Sequence, residues 1–124
     1  LILGLGEEKE CTIESLRRSF ASAFKRCQNK KWVDVSVLLP KVKKLEEGEV
    51  QRAICEGIGL TAYVFDEWKS KENKKPFFVK KVSIIGAKKA DALKKVSHLL
   101  EGVNLARDLM NGNARDITPQ ALGK

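Results

Sequence analysis

The stretch WVDVSVLLP, residues 32–40, decides the fold class of this chain of 124 residues. Apolar residues alternate with other residues along it, which is the period-two pattern of a β-strand with one covered face. Val33, Val35, Val37 and Leu39 are predicted to lie on the same side, and Pro40 to end the strand. We therefore predict a strand over residues 32–39, and the question becomes what flanks it.

A helical pattern precedes this strand. Thr12 has the residue type preferred at a helix N-cap. After it, apolar residues recur at helical spacing and define one buried stripe: Ile13, Leu16, Phe20, Phe24 and Cys27. The same pattern predicts that Arg17, Arg18, Lys25 and Arg26 point towards solvent.

A second helical pattern follows the strand. Acidic residues at 46, 47 and 49 suit the positive end of a helix dipole. The predicted apolar stripe of this helix consists of Val50, Ala53, Ile54, Gly57, Ile58 and Thr61. Gly57 and Gly59 each weaken a helix, by about 1 kcal/mol relative to alanine, so we interpret them as sites where this helix packs closely on a sheet.

The N-terminal and C-terminal parts of the chain continue the alternation of strands and helices. Leu1–Leu5, with Gly4 and Gly6 at its end, predicts a strand covered on both faces. Lys69–Lys75 is a polar loop, and Lys81–Ala87 predicts a further strand closed by Gly86. A long helix is expected from about Asp91 to Met110. Its predicted stripe is Leu93, Val96, Leu100, Val103, Ala106 and Met110.

A connector and a new helix follow the long helix. Asn111–Ile117 is rich in turn-forming residues, and Thr118-Pro119 predicts a helix start with threonine as N-cap. The order strand, helix, strand, helix, strand, helix predicts an α/β fold: three layers, with helices on both faces of a mainly parallel or mixed sheet. Three strands make a thin sheet, so we expect further strands upstream and a chain cut from a longer protein.

The amino-acid composition limits the classes of protein to which this chain can belong. Hydrophobic residues make up 43% of the chain, which is enough for a core, and charged residues make up 32%. No apolar stretch approaches the roughly 18–20 residues that span a bilayer, so we expect no membrane partner. Three cysteines (Cys11, Cys27 and Cys55) contain no CxxC pair, which favours a reducing, cytoplasmic location over a disulfide framework.

Candidate catalytic residues are scarce. His98 is the only histidine, and its place within the long helix favours a partly solvent-facing residue over a triad base. Cys27 and Cys55 lie on or beside apolar stripes, which favours small buried hydrophobes over reactive thiols. Glu7-Glu8 and Glu46-Glu47 are interpreted as solvated charge rather than as metal ligands.

Two weaker signals point to anionic ligands. Gly4-x-Gly6 is similar to the start of a phosphate-binding turn, but Lys9 stands where a dinucleotide fingerprint needs its third glycine, so we interpret the two glycines as the closed end of a strand. The net charge of +8 makes nucleic acid an alternative partner, with Lys74, Lys75, Phe77 and Phe78 placing aromatics beside charge. The basic residues cluster in Lys25–Lys31, Lys41–Lys44, Lys69–Lys81 and Lys88–Lys95. No helix-turn-helix, RNP or zinc-finger pattern accompanies them.

The sequence as a whole resembles a known family. GVNLARDLMN (residues 102–111), followed by Ala114, Asp116 and Thr118-Pro119-x-x-Leu122, resembles the junction segment of leucyl aminopeptidases of the M17 type. GIGLTAYVFDEWKSK (residues 57–71) resembles a second motif of that family. LILGLG (residues 1–6) resembles its strand ending in Gly-Leu-Gly. The resemblance covers nearly the whole chain in the same order.

The resemblance implies which part of the enzyme this is. Residues 1–110 would be most of the N-terminal, non-catalytic domain, macro-domain-like in fold, and residues 111–124 the connector and start of the catalytic domain. The family's catalytic domain binds two divalent metals (zinc, manganese or magnesium) through a lysine and several acidic residues, including an Asn-Thr-Asp-Ala-Glu-Gly-Arg motif. That motif does not occur here, so no catalytic, cofactor-binding or metal residue is carried over.

The family also implies partners and an architecture. The full-length enzyme is a hexamer that removes N-terminal residues, preferentially leucine, from peptides. This segment would then serve assembly and architecture, with its own catalytic domain, other copies and peptide substrates as partners of the whole. Some bacterial relatives bind DNA. A macro-like fold also leaves open a pocket for ADP-ribose at the Gly4–Gly6 end.

Overall fold

A computed structural model describes residues 1–66, 79–87, 90–113 and 118–122. The helices and strands alternate along the chain as the sequence predicts. They are, after a short 3-10 turn at Glu8–Glu10, α1 (Ile13–Asn29), β1 (Asp34–Leu38), α2 (Glu47–Ala62), β2 (Lys81–Ile85), α3 (Ala90–Asn111) and α4 (Pro119–Leu122). The loop predicted at Lys69–Lys75 lies outside the described residues.

The start of α1 is fixed by a reciprocal pair of side-chain hydrogen bonds. The Ser15 amide donates to Thr12 Oγ1 at 3.1 Å, and the Thr12 amide donates to Ser15 Oγ at 2.9 Å. This capping box satisfies two amides that the first turn of a helix leaves without partners. The predicted N-cap is therefore confirmed. The predicted stripe is confirmed as well, since Leu16, Phe20, Phe24 and Cys27 are buried.

The two strands pair in parallel. Asp34 lies opposite Lys81 and Leu38 opposite Ile85, and the ladder continues as the Leu39 amide donates to the Ile85 carbonyl at 3.0 Å. β2 ends at Ile85 and is followed by Gly86, whose φ of +90° is a conformation that residues with a side chain rarely adopt. Both predicted strands are confirmed, with ends one or two residues shorter. A parallel pair needs a crossover, and α2 lies within it.

One face of this sheet meets the core. Val37, Val82 and Ile84 pack against a cluster of buried side chains from α1 and α2, among them Leu16, Phe20, Val50, Ala53 and Ile54. On the opposite face, Leu38 is 72% exposed and Ile85 54% exposed. The chain is thus an α/β fold with a parallel sheet, as predicted. A helical layer over that second face does not occur among the described residues.

The strand predicted at Leu1–Leu5 is not formed, since residues 1–7 contain no strand or helix. A strand exists only when a neighbour accepts its hydrogen bonds, and no backbone hydrogen bond joins this segment to β1. Leu3 and Leu5 still pack on the core, whereas Leu1 and Ile2 are 69% and 99% exposed. Leu1 and Leu3 line a cavity of about 250 Å³ together with residues of β1.

The helix α2 packs between α1 and α3 rather than only on the sheet. A Cβ added at Gly57 would overlap the carbonyl of Arg17 in α1, and one added at Gly59 would overlap the Leu100 side chain of α3. The two glycines therefore serve close packing, as predicted. The predicted partner is wrong: both meet helices, because α2 has α1 and α3 as neighbours where the strand pattern alone suggested a sheet.

The buried side of α3 differs from the predicted stripe. Val96 is buried, and Leu100 and Val103 are half-buried. Leu93 is 44% exposed and Met110 86% exposed, and Ala106 is exposed too. The prediction merged two apolar sides of one helix, because spacing alone cannot tell which of them meets α2. The last helix begins at Pro119, as predicted from Thr118-Pro119.

Candidate domain junction

Tyr63 caps the C-terminal end of α2, and its side chain binds α3. Its extended backbone, with ψ of 130°, stops α2 and directs its side chain to the last turns of α3. There, Tyr63 Oη donates to Asp108 Oδ1 at 2.7 Å and accepts a hydrogen bond from Asn111 Nδ2 at 3.2 Å. Desolvation and the hydrogen bond to Asp108 raise the pKa of Tyr63 above its usual value, which keeps the hydroxyl protonated as a donor.

Arg107 makes further contacts between α2 and α3 at the same place. Its guanidinium lies 5.2 Å from the centre of the Tyr63 ring, within the range of a cation–π contact. Arg107 Nη1 also donates to the Leu60 carbonyl at 3.0 Å. That carbonyl is in the last turn of α2, where helices leave carbonyls without intrahelical partners. Arg107 therefore bridges the end of one helix to the side of the next.

Taken together, these contacts explain the two motifs singled out by the sequence. Arg107, Asp108 and Asn111 come from GVNLARDLMN, and Leu60 and Tyr63 from GIGLTAYVFDEWKSK. The two motifs are separate stretches of the sequence, and their spacing does not indicate that these residues bind each other. We call this cluster the α2–α3 joint. These contacts are structural, because each of the polar side chains takes part in a hydrogen bond that joins the end of α2 to α3.

A second polar cluster joins α1 to α2. The Glu56 side chain is only 5% exposed, and its Oε2 accepts hydrogen bonds from Arg17 Nε at 2.9 Å and Arg17 Nη2 at 2.6 Å. Its Oε1 accepts from Arg52 Nε at 2.6 Å. Arg17 also pairs with Glu14. A carboxylate this buried needs such partners, because an unpaired buried charge is costly.

The prediction that Arg17 faces solvent is therefore wrong. Its side chain is 29% exposed and turns back along α1 to reach Glu56 on α2. Burial alone would raise the pKa of Glu56, but the hydrogen bonds and positive charges of Arg52 and Arg17 outweigh it and hold that pKa below its usual value. Only the i, i+4 spacing of Arg52 and Glu56 was visible beforehand, and such spacing usually marks an exposed pair.

The residues weighed as catalytic candidates lie apart from each other. His98 is 79% exposed and lies 3.6 Å from Glu101, one turn along α3. Cys11 and Cys27 are buried, and burial and the neighbouring Glu56 charge raise the pKa of Cys55 to about 11. A thiol with such a pKa is a poor nucleophile at neutral pH. The predicted locations are confirmed, with His98 exposed on α3 and the cysteines buried or half-buried; that none of them has a catalytic role stays a prediction.

The residues considered for binding anionic ligands or metal ions are likewise not gathered at one place. Gly6 has φ of +81°, and residues 1–7 form no strand, so the interpretation of Gly4-x-Gly6 as the closed end of a strand is wrong. The acidic pairs at 7–8 and 46–47 are exposed. Within the described residues, no group of three or more histidine, cysteine or acidic side chains could hold a metal ion. The same residues include no helix long and apolar enough to cross a membrane.

The described lysines of the predicted basic clusters are exposed and spread over separate elements. Lys25, Lys30 and Lys31 lie at the end of α1 or just after it, Lys41–Lys44 follow β1, and Lys94 and Lys95 are in α3. The aromatic residues that suggested a strand-binding surface, Phe77 and Phe78, lie outside the described residues.

Comparison with known proteins accounts for this arrangement. The model of the cytosol aminopeptidase family, N-terminal domain, matches residues 1–72. The chain belongs to the cytosol aminopeptidase family. It corresponds to the N-terminal domain, as the order of motifs predicted, and nothing in the comparisons supports the nucleic-acid alternative.

Relatives match beyond the residues of the family model. A probable cytosol aminopeptidase of Protochlamydia amoebophila is 39% identical over 127 residues, which cover 99% of this chain and 26% of the relative. One from Treponema denticola is 31% identical and matches 100% of this chain and 27% of the relative. The chain thus spans about a quarter of the length of the curated relatives it matches.

Solved structures show the same fold. The bottromycin maturation enzyme BotP superimposes with a TM-score of 0.82, at 25% sequence identity, over 97% of this chain and 25% of that one. The same enzyme in complex with Mn also superimposes with a TM-score of 0.82, at 24% identity. The match over nearly the whole chain includes α3, so the helix that carries GVNLARDLMN is part of the shared fold.

Proposed function

We propose that this chain is the non-catalytic, architectural part of a leucyl aminopeptidase. The full-length polypeptide would remove N-terminal residues, preferentially leucine, from peptides in the cytoplasm. Residues 1–110 would form the N-terminal domain, and residues 111–124 the connector and start of the catalytic domain. No residue of this chain would take part in catalysis or metal binding.

The α2–α3 joint is the observation that carries this proposal. The motif residues by which the chain resembles the family are used to hold α3 against α2, through Tyr63, Asp108, Asn111 and Arg107. A long helix held in this way and followed by a new helix start is suited to passing the chain from one domain to the next. Architecture therefore accounts for these residues without any catalytic role.

The chemistry would belong to the rest of the polypeptide. Two divalent metals (zinc, manganese or magnesium in this family) would there activate a water molecule and polarise the peptide carbonyl. This chain would contribute by positioning that catalytic domain and by supporting a homo-oligomer, a hexamer in the family. Peptide substrates and other copies would be partners of the whole protein.

A comparison of the full-length polypeptide with this segment tests the proposal. Each is assayed for hydrolysis of leucine p-nitroanilide with added zinc, manganese or magnesium. The full-length protein should be active and should lose activity to a chelator, whereas the 124-residue segment should show none with any metal. Hydrolysis by the segment alone would refute a purely architectural role. An inactive full-length protein would refute the aminopeptidase assignment.

The size of the natural polypeptide is an independent test. An antibody raised against this segment should detect a band several times larger than 13.9 kDa in a lysate of the source organism. A band only at the size of the segment would show a standalone module. The proposal would then be abandoned.

A further inference from the structure

A cavity of about 450 Å³ lies where the two parallel strands end and α2 begins. It is lined by Leu39 and Pro40, which follow β1, by Gly86, which follows β2, and by Glu47 and Val50 of α2. In open sheets of parallel strands, ligands bind beside the carboxyl ends of the strands. The cavity therefore has the position that a small-molecule site has in folds of this class.

The uncharged part of the cavity lining is aliphatic. Val42 and Val50 are buried, and Leu39 and Leu45 are half-buried. None of the described residues that line the cavity is aromatic, so the lining has no ring on which a nucleotide base would stack. A branched hydrocarbon group of a few carbon atoms is the chemistry that such a lining removes from water.

Charged groups of both signs line the same cavity. Lys41 and Lys43 provide two ammonium groups and Glu47 provides a carboxylate, and all three residues are exposed. None of them forms an ion pair with another described residue, so their charges are available to a ligand. The acidic first turn of α2, with Glu47 and Glu49 after the N-cap Glu46, repels a polyanion. A small zwitterion, by contrast, has a carboxylate for the lysines and an ammonium group for Glu47.

The loop that contains both lysines is held against the 3-10 turn at Glu8–Glu10. The Lys43 amide donates to Glu8 Oε1 at 3.2 Å, and Lys44 Nζ donates to the Lys9 carbonyl at 3.3 Å. A site whose backbone is already ordered loses less conformational entropy when a ligand binds. These contacts therefore favour binding by the loop as it stands.

We propose that this cavity binds a free α-amino acid with an aliphatic side chain, such as leucine. The α-carboxylate binds Lys41 and Lys43, the ammonium group binds Glu47, and the side chain lies against the aliphatic lining. An amino acid of this kind is what the proposed aminopeptidase reaction releases. The cavity is then a second site for the product, outside the catalytic domain, and this part of the inference rests on the proposed function.

Hydrogen exchange of the full-length polypeptide, followed by mass spectrometry with and without L-leucine, tests the proposal. Peptides from residues 39–50 report on this cavity separately from any leucine bound in the catalytic domain. We expect leucine to slow amide exchange in these peptides several-fold. Three matched compounds should give no such protection: glycine lacks the side chain, isoamylamine lacks the carboxylate, and isocaproate lacks the ammonium group.

Glu47→Gln and Glu49→Gln form a matched pair of variants. Both remove one negative charge from the first turn of α2, and both residues are exposed, but only Glu47 lines the cavity. Glu47→Gln should raise the leucine concentration needed for half-maximal protection about tenfold, the usual effect of losing one charge-assisted hydrogen bond. Glu49→Gln should leave that concentration unchanged.

The results that would overturn this site differ from those that would refute the aminopeptidase assignment. Leucine that protects catalytic-domain peptides but not residues 39–50, equal effects of the two variants, or equal protection by isocaproate would each overturn the site. None of these readouts depends on catalysis. Protection of residues 39–50 in a protein that does not hydrolyse leucine p-nitroanilide would support the amino-acid site and refute only its identification as a product site.

Discussion

At Gly57, the missing side chain allows α2 to approach the backbone of α1. A Cβ there would overlap the Arg17 carbonyl, which cannot move without moving α1. We expect Gly57→Ala to reduce the free energy of unfolding by about 1–3 kcal/mol, the usual cost of overpacking a core. Urea unfolding measures the change.

Gly102→Ala is the matched control. Gly102 is also within a helix, but nothing lies within 4 Å of the position its Cβ would occupy. Alanine should therefore stabilise this domain, by about 0.5–1 kcal/mol, through helix propensity alone. Equal effects of the two substitutions would show that packing at Gly57 does not matter.

The buried Glu56 carboxylate predicts a pH dependence of stability. Its pKa is held below the value of 4.5 that it has when unfolded and unpaired, so its contribution is fully present above pH 4.5 and is lost as the pH falls through the lower, folded-state pKa. We expect the free energy of unfolding to fall with acidification in this range. Glu56→Gln should reduce the stability at neutral pH and weaken that acid dependence. Parallel curves for the two proteins would contradict the role of Glu56.

At the scale of the helix pair, Tyr63 tests the α2–α3 joint. Tyr63→Phe keeps the ring beneath Arg107 but removes the hydroxyl that links Asp108 to Asn111. Loss of these hydrogen bonds should destabilise the end of α3 by about 1 kcal/mol. Faster amide hydrogen exchange in the last turns of α3, with α1 unchanged, is the expected result. Unchanged exchange would show that the apolar contacts alone hold α3.

The helices and strands were predictable where the signal is local. Thr12 and the spacing of Leu16, Phe20 and Phe24 identify α1 because capping and amphipathicity act within a few turns. The features that depend on contacts between residues far apart in the sequence were not predictable. Arg17 faces Glu56 only because a second helix lies beside it, and Leu1–Leu5 lacks the neighbour that a strand needs. The side of α3 that meets α2 includes Leu100, which packs on Gly59 from a distant part of the sequence. The α2–α3 joint could be found only as two separate motifs.

For the whole molecule, the uncovered side of the sheet predicts self-association of the isolated segment. No described backbone pairs with the edge of β1 away from β2, and Leu38 and Ile85 are neighbours on the open face. Unpaired edges are templates for pairing with other chains. We expect the segment to associate at high concentration in sedimentation velocity, and Leu38→Lys to reduce this.

Leu93→Lys is the control for that experiment, because Leu93 is exposed on α3 and not on the sheet. It should leave the association unchanged. A segment that remains monomeric at high concentration would contradict the prediction.

The parallel pairing of β1 with β2 has a kinetic consequence. Asp34 can meet Lys81 only after the chain between them, including all of α2, has been folded back, and closing so long a loop costs entropy before any contact compensates for it. Contacts between α1 and α2 require the closure of a shorter loop than the pairing of β1 with β2. The helical pair should therefore form early in the folding reaction and the sheet late. Substitutions at Val82 should then accelerate unfolding in stopped-flow experiments, whereas those at Ala53 should slow folding.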